Sequence, residues 1–172
     1  AFTEDPLRVF RVARFAAQLP GFKVADETQA LLMRMCSAGD LETLSAERVW
    51  QEFVKALAAP NPDRFFAVLE ACGGLAYWLP ECADMSLDSL PAHPSDPAAC
   101  FALLPISAMG LAAILARLRG PSRFAQLAAD RHAYLSMLEQ WPMVEPSECY
   151  RMLEKLRVTH AEERLLQLVD LI

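Results

Sequence analysis

The chain has 172 residues, of which 54% are hydrophobic, so it is too apolar to be disordered and long enough to bury one sizeable core or two smaller ones. Its net charge of −6 argues against binding nucleic acid mainly through charge, but leaves recognition by shape through a local basic patch possible. No apolar run approaches the length of a membrane span and no signal peptide is apparent, so no membrane partner is expected.

Five cysteines are scattered along the chain without any C-x-x-C pair, and the three histidines lie far from one another. An odd number of cysteines at irregular spacing is not typical of a disulfide framework or of a zinc site. The pattern favours small, buried, free thiols in a reducing cytoplasm.

Helical periodicity dominates, which predicts an all-α protein. Asp5-Pro6 and Asn61-Pro62 each place a capping residue before a proline at the first helical position, and Ser45 is a further cap. Glycines and prolines mark the helix ends, and Pro105 is expected to kink or split a long helix. The predicted helices are 6–18, 26–37, 46–58, 62–72, 98–118, 121–139, 147–156 and 160–171.

Residues 84–97 contain Pro91, Pro94 and Pro97 among several serines, which indicates a loop or linker between two helical parts. The predicted organisation is therefore helices over 1–60 and 61–83, a linker over 84–97 and a helical tail over 98–172.

The first helix carries the most informative pattern, Glu-Asp-Pro-Leu-Arg-Val-Phe-Arg-Val-Ala-Arg-Phe from Glu4. Arg8, Arg11 and Arg14 recur every three residues, and two acids precede them at the positive end of the helix. Three guanidinium groups beside free backbone N–H groups suit an anionic ligand that approaches this end.

Asp5 and Arg8 are three residues apart, so their side chains share the first turn of the helix. A carboxylate accepts from an amino group and a guanidinium donates to a ring nitrogen, which is the order offered by the pairing edges of cytosine and adenine. Uracil and guanine present the opposite order and would be rejected. The alternative is that Asp5 caps the helix, Arg8 forms a surface ion pair, and neither residue recognises a base.

The same stretch resembles the E-D-x-x-R motif, with its continuation R-x-x-R-F, of bacterial CCA-adding enzymes and poly(A) polymerases. Glu47-Arg48-Val49-Trp50-Gln51-Glu52 resembles the E-R-hydrophobic-x-x-E helix of the family's neck. The landmarks from Asn61-Pro62 to Leu79-Pro80-Glu81 resemble the next helix and its L-P-E ending. The three landmarks follow one another in the family's order over roughly residues 1–82.

This resemblance implies that Asp5 and Arg8 read the base of incoming CTP or ATP and that Arg11 helps to hold the nucleotide. Arg14 is then expected to brace the junction between head and neck. The remaining residues of the motifs would support the first helix: Glu4, Arg48 and Glu52. An ion pair on one helix face is the alternative interpretation of Arg48 and Glu52.

The family's metal-binding D-x-D carboxylates and Gly-rich phosphate loop have no counterpart in this sequence. We therefore expect a fragment without its catalytic head, inactive alone as a nucleotidyltransferase, with Mg²⁺ bound by the missing head and not by this chain. Where some relatives carry metal ligands of an HD phosphohydrolase, this sequence has Ile106 and Ser107. No phosphohydrolase activity is expected either.

The family's tail is expected to hold tRNA, and the most basic part of this one contains Arg117, Arg119, Arg123 and Arg131, with Asp130 as the acid nearby. The first three are the candidate RNA contacts, and an ordinary solvated helix face is the alternative. A poly(A) polymerase or an enzyme that adds only the final A would share the first-helix motif. A non-catalytic helical scaffold for RNA or protein is the rival of another class. The sequence does not indicate an oligomeric state.

Overall fold

The computed structural model describes residues 5–86, 96–158 and 162–172, and within these ranges it contains α-helices, short 3₁₀ turns and no strand. The all-α prediction is confirmed. The helices are α1 (Arg8–Gln18), α2 (Asp26–Ser37), α3 (Ala46–Leu57), α4 (Pro62–Cys72), α5 (Leu75–Trp78), α6 (Pro97–Leu103), α7 (Ala108–Leu118), α8 (Ser122–Glu139), α9 (Pro146–Lys155) and α10 (Glu163–Val169), with 3₁₀ turns at Asp40–Thr43 and Pro80–Cys82.

The predicted helix over 98–118 is two helices, as the position of Pro105 indicated. α6 ends at Leu103, Leu104 is extended with ψ 132°, and the Ser107 hydroxyl then caps α7 by accepting the Gly110 N–H at 3.1 Å. Ser45 caps α3 in the same way, through the Arg48 N–H. The side chain of Asn61 makes no capping hydrogen bond, so that part of the prediction was wrong.

The first helix packs its apolar face against α3 and α4. The buried residues of α1 recur at helical spacing and form one stripe: Val9, Phe10, Ala13, Ala16 and Ala17. The Phe10 ring lies 6.4 Å from that of Phe65 on α4, and Phe53 of α3 lies 5.9 Å from Phe65. Burial of this stripe therefore leaves Arg8 and Arg11 on the other side of α1.

One hydrophobic core continues across the predicted boundary between the first helices and the tail. Trp50 of α3 packs edge-on against Phe124 of α8, with ring centroids 4.9 Å apart, and Phe53 lies 6.3 Å from Phe101 of α6. Gly120 comes so close to Trp50 that an added Cβ would lie 3.1 Å from the indole ring. Most of the predicted linker, residues 87–95, lies outside the described residues.

The end of the chain forms a second, smaller cluster around Met152, Leu156 and Leu168. Arg164 of α10 joins it to α8 through a two-pronged ion pair with the buried carboxylate of Asp130, at 2.7 and 3.1 Å. No helix in the described ranges has the length and apolarity that crossing a bilayer requires.

Because Trp50 lies between the two parts of the main core, its removal should destabilise the whole chain. We expect Trp50→Ala to lower the free energy of unfolding by about 3–5 kcal/mol, the usual effect of deleting a buried aromatic side chain. Trp141→Ala is the matched control, since Trp141 is 55% exposed. Chemical denaturation monitored by circular dichroism measures both, and equal effects of the two changes would contradict a shared core at Trp50.

Candidate nucleic-acid interface

The chain enters α1 through a turn that is held by the side chain of Asp5. Its carboxylate accepts the backbone N–H of Leu7 at 3.2 Å, within the turn that precedes Arg8, so α1 begins two residues later than the sequence predicted. The same carboxylate accepts from the Arg48 guanidinium, whose Nη2 lies 3.1 Å from both oxygens. Asp5 is thus fixed by its own turn and by α3, while a third of its side chain stays exposed.

Arg8 and Arg11 lie on the side of α1 opposite the buried stripe. Arg8 is half-buried, and its N–H donates to the carbonyl of Asp5 at 3.1 Å, so the two residues share one turn. Arg11 is exposed, and no residue in the described ranges supplies it with an ion-pair partner. The structure therefore brings Asp5, Arg8 and Arg11 to one end and one side of the helix.

Arg14 turns inward instead and pairs with Glu52 of α3, with Nε 2.5 Å from the carboxylate oxygen. The two side chains are 12% and 9% exposed, so this ion pair is nearly buried. Arg14 also donates to the side chain of Gln18 and lies 4.2 Å over the ring of Phe15. Lys55 is a second, more distant cation for Glu52, at 4.0 Å.

Two polar residues of α3 that are one turn apart, Arg48 and Glu52, thus pair with the first helical region. Arg48 binds Asp5 in the turn before α1, and Glu52 binds Arg14 on α1 itself. Sequence reasoning could place Arg48 and Glu52 on one face of α3 but could not identify these partners, which lie 43 and 38 residues away. Glu4, the remaining supporting candidate, lies outside the described residues.

Of the tail arginines, Arg117 is the most firmly held. It binds both oxygens of Glu81, at 2.6 and 2.8 Å, and donates to the carbonyl of Trp78 at 3.1 Å. These hydrogen bonds hold the pKa of the Glu81 carboxyl below its usual value. Arg117 therefore ties α7 to the turn that follows α5.

Arg119 and Arg123 have acidic partners as well, but these pairs are exposed. Arg119 lies 2.9 Å from Glu47 of α3, and Arg123 lies 3.4 Å from Asp96. Asp130, the acid that the sequence placed beside this cluster, pairs instead with Arg164. The three candidate arginines thus lie beside acids from distant parts of the chain, which reduces the local excess of positive charge.

A groove that sequence reasoning missed lies between the loop after α1 and the outer side of α4. Its volume is about 250 Å³, and Lys23 and Arg64 are the cations among its lining residues, with Phe22 beside them. No acidic residue is among those that line it, and neither cation has an ion-pair partner in the part of the chain that the structure describes. Forty-one positions separate the two cations, so no local signal could have joined them.

Groups of three or more side chains that could hold a metal ion do not occur within residues 5–86, 96–158 and 162–172. The expectation that magnesium is bound outside this chain stays a prediction.

Most of the groove lies in a segment of the chain that is similar to known proteins. Residues 21–85 match a family model described as the probable RNA- and SrmB-binding site of polymerase A. The multifunctional CCA protein of Vibrio vulnificus is 59% identical over 83 residues, and that of Burkholderia ambifaria is 56% identical over 81 residues. The resemblance to the CCA-adding enzyme and poly(A) polymerase family is confirmed.

Each of these matches covers 47% of this chain and 20% of the relative. The matched part thus spans about a fifth of the length of the curated relatives. The activity and substrates of those complete proteins are therefore not established for this chain by the similarity. Apart from Ala16, every residue that lines the groove lies within the segment that matches the RNA-binding family model.

The Arg14–Glu52 pair provides a direct test of how α1 is held on α3. Removing one partner leaves the other charge nearly buried without its closest counter-ion, so Arg14→Met and Glu52→Met should each destabilise the fold by about 3–5 kcal/mol. The double change Arg14→Met/Glu52→Met leaves no orphaned charge, and it should cost clearly less than the sum of the single changes. Urea denaturation of the four proteins measures this coupling, and additive effects would contradict it.

Proposed function

We propose that this chain is the nucleotide-selecting and tRNA-binding part of a CCA-adding tRNA nucleotidyltransferase. The observation that carries the proposal is the position of Asp5, which α3 holds beside Arg8 on the outer side of α1. The identity with multifunctional CCA proteins and the match to an RNA-binding family support it.

The proposed base selection depends on the hydrogen-bond acceptor positions of the Asp5 carboxylate that remain unused. Its two oxygens provide about four acceptor positions. The Leu7 N–H uses one on Oδ1, and Arg48 shares its Nη2 between both oxygens. Acceptor capacity remains for the amino group of cytosine or adenine, while the Arg8 guanidinium donates to the adjacent ring nitrogen. Uracil and guanine would bring a carbonyl oxygen to the carboxylate and a ring N–H to the guanidinium, and both pairings are unfavourable.

Arg48 is, in this proposal, a positioning residue. It restrains the carboxylate on which discrimination depends, but the proposal gives it no contact with the nucleotide. Such a restraint matters because an incoming base gains most from an acceptor that is already oriented. Arg11, exposed on the same side of α1, is placed to attract the sugar–phosphate part of a nucleotide.

tRNA binding is proposed to use the Lys23–Arg64 groove together with the tail. The groove combines an aromatic side chain with two cations that have no acidic partner among the described residues, a combination that suits an RNA backbone and an unstacked base. Arg119 and Arg123 remain proposed contacts, since their ion pairs are exposed and can exchange a carboxylate for a phosphate. Arg117 is assigned mainly to holding the fold.

The second candidate is a poly(A) polymerase or an enzyme that adds only the final A, because the family description names polymerase A. Incorporation of CTP, measured separately from ATP on a tRNA that lacks its 3′ end, distinguishes the two. A non-catalytic scaffold is the alternative of another class. A cytoplasmic location is part of the proposal, in keeping with five cysteines that are all free thiols.

In a complete enzyme, in which this region is joined to a catalytic head, Asp5→Ala should reduce selectivity more than speed. Each lost charged hydrogen bond is worth about 1.5–3 kcal/mol, or roughly ten- to a hundredfold in kcat/KM for CTP and ATP relative to UTP and GTP. Arg8→Ala should reduce both selectivity and binding, whereas Arg11→Ala should weaken all four nucleotides about equally. Steady-state kinetics with the four nucleotides measures these effects.

Arg48→Ala should lower selectivity less than Asp5→Ala does, and Arg48→Lys should restore part of it. The control is the 172-residue chain alone, for which no nucleotide incorporation and no phosphohydrolase activity are expected. If Asp5→Ala lowered the melting temperature and left the four kcat/KM ratios unchanged, Asp5 would be a helix cap and the base-reading proposal would fail.

Binding of tRNA by this chain should be weak, because the chain as a whole is acidic, and strongly dependent on salt, because it relies on a few local cation–phosphate contacts. The double change Lys23→Ala/Arg64→Ala should lower the slope of log K against log salt by about one to two. Arg119→Ala/Arg123→Ala should act in the same direction, while Arg117→Ala should mainly reduce stability, by about 1–2 kcal/mol.

The matched control is Arg151→Ala/Lys155→Ala, which removes the same charge from exposed positions on α9. Fluorescence anisotropy with labelled tRNA, repeated at several salt concentrations, measures the slopes. An equal loss of affinity in the control and in the groove variant would show that net charge, and not the groove, governs binding.

A further inference from the structure

Two cysteines that are distant in sequence meet at the ends of α2 and α4. Cys36 lies one residue before the end of α2, and Cys72 is the last residue of α4. Their sulfur atoms are 3.8 Å apart, with the Cys36 thiol donating to the sulfur of Cys72. Cys36 is partly exposed to solvent and Cys72 is buried. The sequence offered no sign of this pair, because the two positions are 36 residues apart.

The pair differs from the other thiols in its electrostatics as well as in its geometry. Hydrogen bonding from Cys36 lowers the pKa of Cys72, and the same interaction raises the pKa of Cys36. Burial raises the pKa of Cys82 and of Cys100 to about 12, which makes these two thiols inert toward oxidants. Cys72 is therefore the better source of a thiolate, and its hydrogen-bond partner is another cysteine.

We propose that Cys36 and Cys72 form a reversible redox modification site, in which a peroxide converts the two thiols into a disulfide between α2 and α4. A disulfide requires a sulfur–sulfur distance of about 2.05 Å, so the sulfurs, now 3.8 Å apart, must approach by roughly 1.8 Å for the bond to form. Partial exposure of Cys36 gives a small oxidant access to the pair.

The reaction balances with hydrogen peroxide as the oxidant. A thiolate of the pair attacks one peroxide oxygen, forms a sulfenic acid, and releases hydroxide that is protonated to water. The second cysteine attacks the sulfenic sulfur, forms the S–S bond, and releases a second water molecule. The two thiols lose two electrons and two protons in total, and peroxide is reduced to two molecules of water.

The cross-link would close a loop of the chain that contains the whole of α3. This loop includes Arg48 and Glu52, whose ion pairs reach Asp5 and Arg14. It would also lie inside the segment that matches the RNA-binding family. Closing a loop of this length restricts the unfolded chain, so the oxidised protein should melt at a higher temperature. The inference does not depend on the proposed function, since it rests on the two thiols alone.

The test is to treat the folded 172-residue chain with hydrogen peroxide, block the remaining thiols with N-ethylmaleimide, and digest it for mass spectrometry. The expected product has lost about 2 Da and contains a peptide that joins Cys36 to Cys72. The melting temperature should rise by about 5–10 °C, and dithiothreitol should reverse the change. Cys82 and Cys100 should be recovered without any oxidation.

Cys36→Ser and Cys72→Ser should each abolish both the mass loss and the rise in melting temperature. Cys149→Ser should retain both and serves as the matched control, because that cysteine is buried elsewhere, on α9. Recovery of sulfinic or sulfonic acid at Cys36 without a linked peptide would overturn the proposal. A disulfide that joins other cysteines, or the absence of any mass loss, would overturn it too.

Discussion

A nearly buried charge is stable only when a counter-ion contacts it, and the Arg14–Glu52 ion pair restrains the first helix for this reason. Arg14 has to face α3, which fixes the rotation of α1 about its own axis. With that rotation, Phe10 and Ala13 point into the core, and Arg8 and Arg11 are left on the outer side. The orientation of the candidate nucleotide-binding face thus follows from a pair that touches no nucleotide.

A second contact between the same two helices fixes the end of α1 as well as its rotation. Arg48 lies one turn before Glu52 on α3 and reaches the carboxylate of Asp5, at the turn that begins α1. Since two separated contacts restrain a helix more fully than one does, Asp5 is held relative to the core and not merely relative to its own turn. On the proposal that Asp5 reads a base, this distinction matters because a small displacement of the acceptor would weaken discrimination.

The sequence correctly predicted those features that depend on residues close together in the chain. Ser45 as a helix cap and the break at Pro105 are local consequences of side-chain chemistry, and the structure contains both. It did not predict contacts between residues that only the fold brings together. The partners of Arg117 and Arg14 come from positions 36 and 38 residues away, and periodicity carries no information about such pairs. Similarity to a known family pointed to Asp5 and Arg8, but the contacts that hold them come from the fold.

The tail arginines illustrate why cation density along a sequence is a poor guide to an RNA-binding surface. Arg117, Arg119 and Arg123 are close together in the chain, yet the fold supplies each with an acid, and their combined positive potential is reduced accordingly. Lys23 and Arg64 are far apart in the chain, yet the fold brings them to one groove, and no acid lines it within the part of the chain that the structure describes. A phosphate responds to the net local potential, which depends on the carboxylates nearby as much as on the cations. A protein of net charge −6 can therefore present a favourable site for RNA wherever its cations are left without acidic neighbours.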